Sequence, residues 1–193
     1  MSMLSSEEIN KIGFHRVGEN VQLSDKASFY GVEKISIDNN VRIDDFCVIA
    51  AGAGGIEIGN YVHIAVGVTL IGAGKIKLGD FSGLSSRVAV YSSGDDYSGR
   101  TLTNPTVPDK YKNVHIADVV IGKHVIVGSG SVILPGVILE EGVAIGALSL
   151  VSKSCHRFGI YAGNPLRRIK ERSQELLMLE KQFCTDKSVG NPN

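Results

Sequence analysis

Cations crowd one short stretch of this chain. Between positions 153 and 172 lie Lys153, Arg157, Arg167, Arg168, Lys170 and Arg172, with Glu171 as the only acid, in a sequence that otherwise balances 20 Lys plus Arg against 20 Asp plus Glu. Such local asymmetry suits the binding of phosphate groups, although a solvated helix start with the same cations serves solubility alone. Proton transfer near neutral pH points to histidine, and the five are His15, His63, His115, His124 and His156. Two adjacent carboxylates, Asp95 and Asp96, stand in the run Asp95-Asp96-Tyr97-Ser98-Gly99. They can orient an acceptor or take up a proton, and the same composition also makes an ordinary polar turn. Cys47, Cys155 and Cys184 are odd in number and widely spaced. This excludes a disulfide scaffold, offers no paired metal-ligand spacing, and leads us to expect a reducing, cytoplasmic setting.

The elements that must position these residues follow from a repeat. Aliphatic anchors recur every sixth residue in six triplets: Val17, Leu23, Phe29; Ile37, Ile43, Ile49; Ile58, Ile64, Leu70; Leu78, Leu84, Val90; Ile121, Val127, Ile133; and Leu139, Ile145, Val151. Four residues after most anchors stands a small or β-branched residue, as at Val41, Val62, Ser82 and Val125. Neither a helical period of 3.6 nor long alternation explains an 18-residue unit divided in three. A three-sided solenoid does, with anchors pointing inward and stacking from coil to coil. The 23 glycines and only 5 prolines agree with many tight turns between short strands. In this frame His63, between Val62 and Ile64, points outward and His124 takes a solvent-facing turn position.

Triplet starts at 17, 37, 58, 78, 121 and 139 are separated by 20, 21, 20, 43 and 18 residues, and every excess over 18 falls after a third hexad. Insertions at a corner are tolerated where insertions within a stacked strand are not. The longest, about 92–119, is the expected functional loop. Within it Thr103-Asn104-Pro105-Thr106-Val107-Pro108 reads as rigid and extended. The expected organisation is an N-terminal cap over 1–16, opened by a capping box from Ser5 to Glu8, a β-helix over 17–157, and a C-terminal helix and tail over 158–193. A charged amphipathic helix is expected from Leu166 to Phe183, covering the open end. The neutral overall charge argues against nucleic acid, and no apolar run is long enough for a transmembrane segment.

The hexads Ile121-Gly-Lys-His-Val-Ile, Val127-Gly-Ser-Gly-Ser-Val, Ile133-Leu-Pro-Gly-Val-Ile and Ile145-Gly-Ala-Leu-Ser-Leu-Val-Ser-Lys, followed by Tyr161-Ala-Gly-Asn-Pro, resemble the hexapeptide-repeat acyltransferases. Within them the sequence is most similar to the maltose and galactoside O-acetyltransferases and the sugar acetyltransferases of polysaccharide biosynthesis. The resemblance implies an all-β solenoid, a left-handed parallel β-helix of about six triangular coils. It further implies a homotrimer with active sites between subunits, acetyl-coenzyme A as cosubstrate, a sugar or nucleotide-linked sugar as acceptor, and no metal. By position in the family pattern, Ser152 and Lys153 meet the adenine and 3′-phosphate end of coenzyme A. Arg167 and Arg168 meet phosphate, and Gly146 and Ala147 offer backbone to the pantetheine arm.

The family's usual catalytic base is a histidine on the inserted loop. The tract Tyr91-Ser-Ser-Gly-Asp-Asp-Tyr instead puts Asp95 at that place and Asp96 at its partner. A carboxylate is a weak base for an alcohol, whereas a neutral amine attacks a thioester unaided, so both O- and N-acetylation stay open. The catalytic candidates are Asp95, His63, Asp96 and His115. Two other classes use or suit the same solenoid: a non-enzymatic scaffold, and a zinc-dependent carbonic anhydrase, which needs three converging histidines.

Overall fold

Each predicted anchor stacks on its counterpart in the next coil. In the structure, a computed structural model that describes residues 2–189 (side chains through 187), Val17, Ile37, Ile58, Leu78, Ile121 and Leu139 are in register on the first face of a triangular prism. Leu23, Ile43, Ile64, Leu84, Val127 and Ile145 form the second face, which a seventh rung extends through Tyr161. Phe29, Ile49, Leu70, Val90, Ile133 and Val151 form the third. All three sheets are parallel within the prism, and the whole is a left-handed β-helix. Leu78 pairs with Ile121 as if the long insertion between them were absent. Most anchors are wholly buried, each such side chain stabilising the fold by roughly 1.5–3 kcal/mol relative to exposure.

Both open ends are closed. Helix α1 (Ser6–Ile12) starts at the expected capping box, in which Glu8 N–H donates to Ser5 Oγ and the Ser5 N–H donates to the Glu8 carboxylate. Its Ile9 is buried over the first coil. The C-terminal end departs from the sequence reading. Arg167–Glu171 is not helical but a strand, antiparallel to the seventh-rung strand Gly159–Ala162, and helix α2 begins only at Leu176 (Leu176–Val189). The last rung has unpaired backbone groups, and a reversing strand satisfies them while presenting charged residues at the new edge. Nor does α2 cover that end. It lies along a corner of the prism, where Phe183 packs edge-on against the stacked rings of Tyr61 and Phe81. His124 stacks on Phe81, is buried, and bonds Glu180 of α2 at 2.9 Å, so it is not solvent-facing. Of the expected cap and tail, residue 1 and residues 190–193 lie outside the described residues.

Ser82 occupies a core position whose neighbours along the stack are Val62 and Val125, and its hydroxyl has no hydrogen-bond partner. Burying an unpaired hydroxyl costs about 1–3 kcal/mol. Ser82→Val therefore raises the melting temperature by several degrees, whereas Ile64→Ala, which opens a cavity in the same face, lowers stability by about 2–5 kcal/mol. Thermal denaturation of the two variants checks this, and a Ser82→Val protein no more stable than wild type would contradict the orphaned hydroxyl.

Candidate active site

The outward row of the second face reads Arg42, His63, Gly83, Ile126 and Ala144 in successive coils. Because Gly83 has no side chain, a groove opens between His63 and Ile126, with Ala65, Ser85, Ser86 and Ser129 along its walls. His63 is half exposed, and its Nε2 lies 2.9 Å from Oδ2 of Asp44, a buried carboxylate whose Oδ1 accepts from Arg42 Nε at 2.7 Å. Burial pushes the Asp44 carboxyl up, but hydrogen bonds from Arg42 and His63 and their charges outweigh it and hold the group below its ordinary value. An ionised Asp44 requires the ring proton on Nε2, which leaves Nδ1 as the basic nitrogen.

The long insertion leaves the third face after Tyr91 and returns at Val119 through a short neck, Ser93–Gly94 antiparallel to His115–Ile116. Gly94 pairs with His115, so Asp95 and His115 both stand at the neck, without a bond between them. Asp95 is exposed. Asp96 is committed to the loop: it accepts from the Ser98 N–H at 2.8 Å and from Thr101 Oγ1 at 3.2 Å. Those bonds from Ser98, with lesser help from Thr101 and Asn113, lower its carboxyl below the ordinary value. It braces the tract that carries Asp95. The segment 103–108 is folded rather than extended: Asn104 Oδ1 accepts from both the N–H and the hydroxyl of Thr106. An asparagine that bonds two residues ahead turns the chain.

A second cavity lies at the C-terminal end, lined by Leu150, Ser152, Lys153, Asn164, Pro165 and Arg168 among others. It brings together three of the six expected cofactor residues. Arg167 stands exposed on the neighbouring strand. The Gly146 N–H donates to Tyr161 O and its carbonyl accepts from Ser131 and Ser149, so Gly146 offers no free backbone, while Ala147 beside it is exposed. Three cations of the basic stretch have partners of their own: Arg172 donates to the carbonyls of His124 and Gly142, the Arg157 N–H and side chain both engage Glu140, and Arg168 at the cavity donates to Glu171 at 2.6 Å across the surface. Cys155 also lines this cavity, and burial pushes its thiol up to about 11. It is a thiol, not a thiolate, at neutral pH. This cavity and the neck share one corner of the prism, two coils apart along the Val90, Ile133, Val151 stack, or about 10 Å. The groove is on the other side of the third face, some five residues or about 17 Å of extended chain away.

A family model described as bacterial transferase hexapeptide (six repeats) matches residues 118–153. The dTDP-4-amino-4,6-dideoxy-D-glucose acyltransferase of Escherichia coli is 55% identical over 183 residues, which is 95% of each chain. The chain belongs to the hexapeptide-repeat acyltransferases. The N-acyltransferase AntD of Bacillus cereus, solved with dTDP and 3-hydroxybutyryl-CoA, is 46% identical with a TM-score of 0.91, covering 98% of this chain and 99% of that one. A maltose O-acetyltransferase from Clostridium difficile 630 shares the fold at 21% identity and a TM-score of 0.59, over 87% of this chain and 75% of that one. This hexapeptide-repeat protein is an enzyme that acylates a sugar with acyl-coenzyme A. Among the described residues no group of three His, Cys, Asp or Glu is placed to hold a metal ion, and no helix is long and apolar enough to cross a membrane.

Asp44 and the serines of the groove were not singled out by the sequence. The register could have found them, because residues about 20 apart on one face are neighbours in this acyltransferase fold. Asp44 also supplies a test. A carboxyl lowered by folding stabilises the protein above its unfolded value, near roughly 3.9, and that contribution fades as pH falls through the folded value. Asp44→Asn therefore lowers the melting temperature most near pH 7, and the gap from wild type narrows toward pH 3. Thermal scans at the two pH values measure it, and a constant gap would mean that the negative charge is not what Arg42 and His63 hold.

Proposed function

We propose that this enzyme is an N-acyltransferase that forms an amide on the amino group of a dTDP-linked 4-amino-4,6-dideoxyhexose, working as a homotrimer in the cytoplasm. The observation that carries the reading is Asp95, a carboxylate at the neck where a strong base for an alcohol would stand. An amine does not need that base. The relatives agree in type: the Escherichia coli enzyme bears the name of a dTDP-amino-sugar acyltransferase, and AntD has been solved with dTDP-4-amino-4,6-dideoxyglucose and coenzyme A. Solved AntD variants replace a serine and, ten positions further on, an aspartate. At the groove and neck of this chain two pairs stand at that spacing, Ser85 with Asp95 and Ser86 with Asp96, and the bonding of Asp96 within the loop favours the first.

Groove and neck are a full face apart within one chain, so a single small acceptor reaches both only where the neck of one copy meets the groove of the next. That is the argument for the trimer. Lys153 and Arg168 hold phosphate of coenzyme A, with Ser152 beside them, and the thioester arm runs along the corner the two coils to Asp95. The sugar nitrogen attacks the thioester carbon, a C–N bond forms, and the carbonyl oxygen becomes an oxyanion that the Ser85 hydroxyl faces. The C–S bond then breaks. The proton lost by nitrogen passes by way of Asp95 to the departing thiolate, leaving amide and free coenzyme A. His63, oriented by Asp44, presents Nδ1 as an acceptor for a sugar hydroxyl. The free cysteines support a reducing compartment.

Incubation with acetyl- or 3-hydroxybutyryl-coenzyme A and dTDP-4-amino-4,6-dideoxyglucose releases thiol and yields an amide by mass spectrometry. Thiol release with hydroxyl sugars alone would overturn N-acylation. Asp95→Asn lowers kcat by about 10- to 100-fold, and Lys153→Ala raises the KM for acyl-coenzyme A about tenfold but has little effect with the 3′-dephospho analogue. Full turnover by Asp95→Asn would remove that residue from the mechanism.

A further inference from the structure

Glycine has a structural reason almost everywhere in this chain. At each described glycine except two, either the backbone adopts a positive φ or an added Cβ would meet a neighbouring atom at 3 Å or less. The exceptions are Gly83 and Gly94, which have ordinary backbone angles and nothing within 4 Å of a Cβ built on them. A glycine inside a strand weakens it, and where local geometry does not demand one, it marks a place where something approaches the backbone closely. Both exceptions fall at the candidate site. Gly83 is the floor of the groove, and Gly94 immediately precedes Asp95.

We infer that the bare strand at Gly83 is the seat of the acceptor's sugar ring and selects for a 6-deoxy sugar. This rests on the reading of the acceptor given above. His63 and Ile126 are two inter-strand spacings apart, about 10 Å, and Gly83 leaves the space between them empty, so a pyranose ring can lie with its C–H face on the backbone. The rim matches a sugar: the hydroxyls of Ser86 and Ser129 and the His63 ring answer polar substituents, while Ile126 on the far side offers an apolar wall to a C6 methyl group. A 6-hydroxyl on that wall would be left unpaired. No Lys, Arg, Asp or Glu lines the groove, so it suits neither a diphosphate nor the phosphates of coenzyme A, for which Lys153 and Arg168 are placed elsewhere.

Because nothing in the chain occupies the space, Gly83→Ala folds normally, and its melting temperature is equal to or slightly above wild type. Its effect falls on the acceptor. The KM for the nucleotide-linked amino sugar, and its dissociation constant by calorimetry, rise about tenfold, Gly83→Val raises them further, and the KM for acyl-coenzyme A and the preference among acyl chain lengths stay as in wild type. Wild type prefers the 6-deoxy acceptor to its 6-hydroxy analogue. An unchanged acceptor KM, a shift confined to acyl-coenzyme A or acyl length, or loss of subunit assembly by size-exclusion chromatography would each overturn the ring seat in favour of an empty groove, an acyl pocket or a subunit contact. If wild type turns over a different sugar, the amino-sugar reading fails, and the same comparison on that sugar decides the seat separately.

Discussion

Vertical stacking of like side chains is the constraint on which everything else in this protein depends. Each rung is too short to be stable alone, and its anchors are buried only because the rungs above and below place theirs at the same height. Backbone hydrogen bonds run in the same direction as the stacking, so register and burial enforce each other: a slip of one residue would turn every anchor outward. The walls of the prism are therefore uniform, and chemistry is confined to the outward rows and the corners.

The candidate site follows that division. The outward row of the second face supplies the groove, where one missing side chain separates His63 from Ile126. The corner after the third face supplies both the neck with Asp95 and the cavity with Lys153 and Arg168, two rungs apart. Two of the charged residues nearby have structural duties that free others to act: Asp44 fixes the ring of His63, and Asp96 holds the loop in which Asp95 stands. A face of the prism separates groove from neck, which is why the proposed mechanism draws the two from neighbouring copies.

The chemistry is consistent with the weak base. An aspartate is poorly matched to deprotonating a hydroxyl, and a thioester is reactive enough for a neutral amine. What such an enzyme must supply is position, a donor for the oxyanion and a route for one proton. The proposed mechanism assigns those tasks to serine hydroxyls, a carboxylate on a braced loop and a histidine held by a buried acid.

The anchors Val17 to Val151, the corner position of the insertions, the capping box at Ser5 and the outward aim of His63 were all legible in the sequence, because each depends on a periodic or local pattern. The basic stretch was visible as charge, but its division was not. Arg172 turns inward to two carbonyls and Arg157 leans on Glu140, whereas Lys153 and Arg168 line a cavity. The strand Arg167–Glu171 was missed because its partner is the solenoid's exposed last rung, a long-range edge that overrides the local helical pattern. The burial of His124 depends on a helix more than 50 residues later in the chain. By itself the sequence determined the coil, since a repeat writes its own contacts; which polar residues meet was decided only in three dimensions, because pairs such as Asp44 with His63 join through rungs whose spacing carries no mark of chemistry.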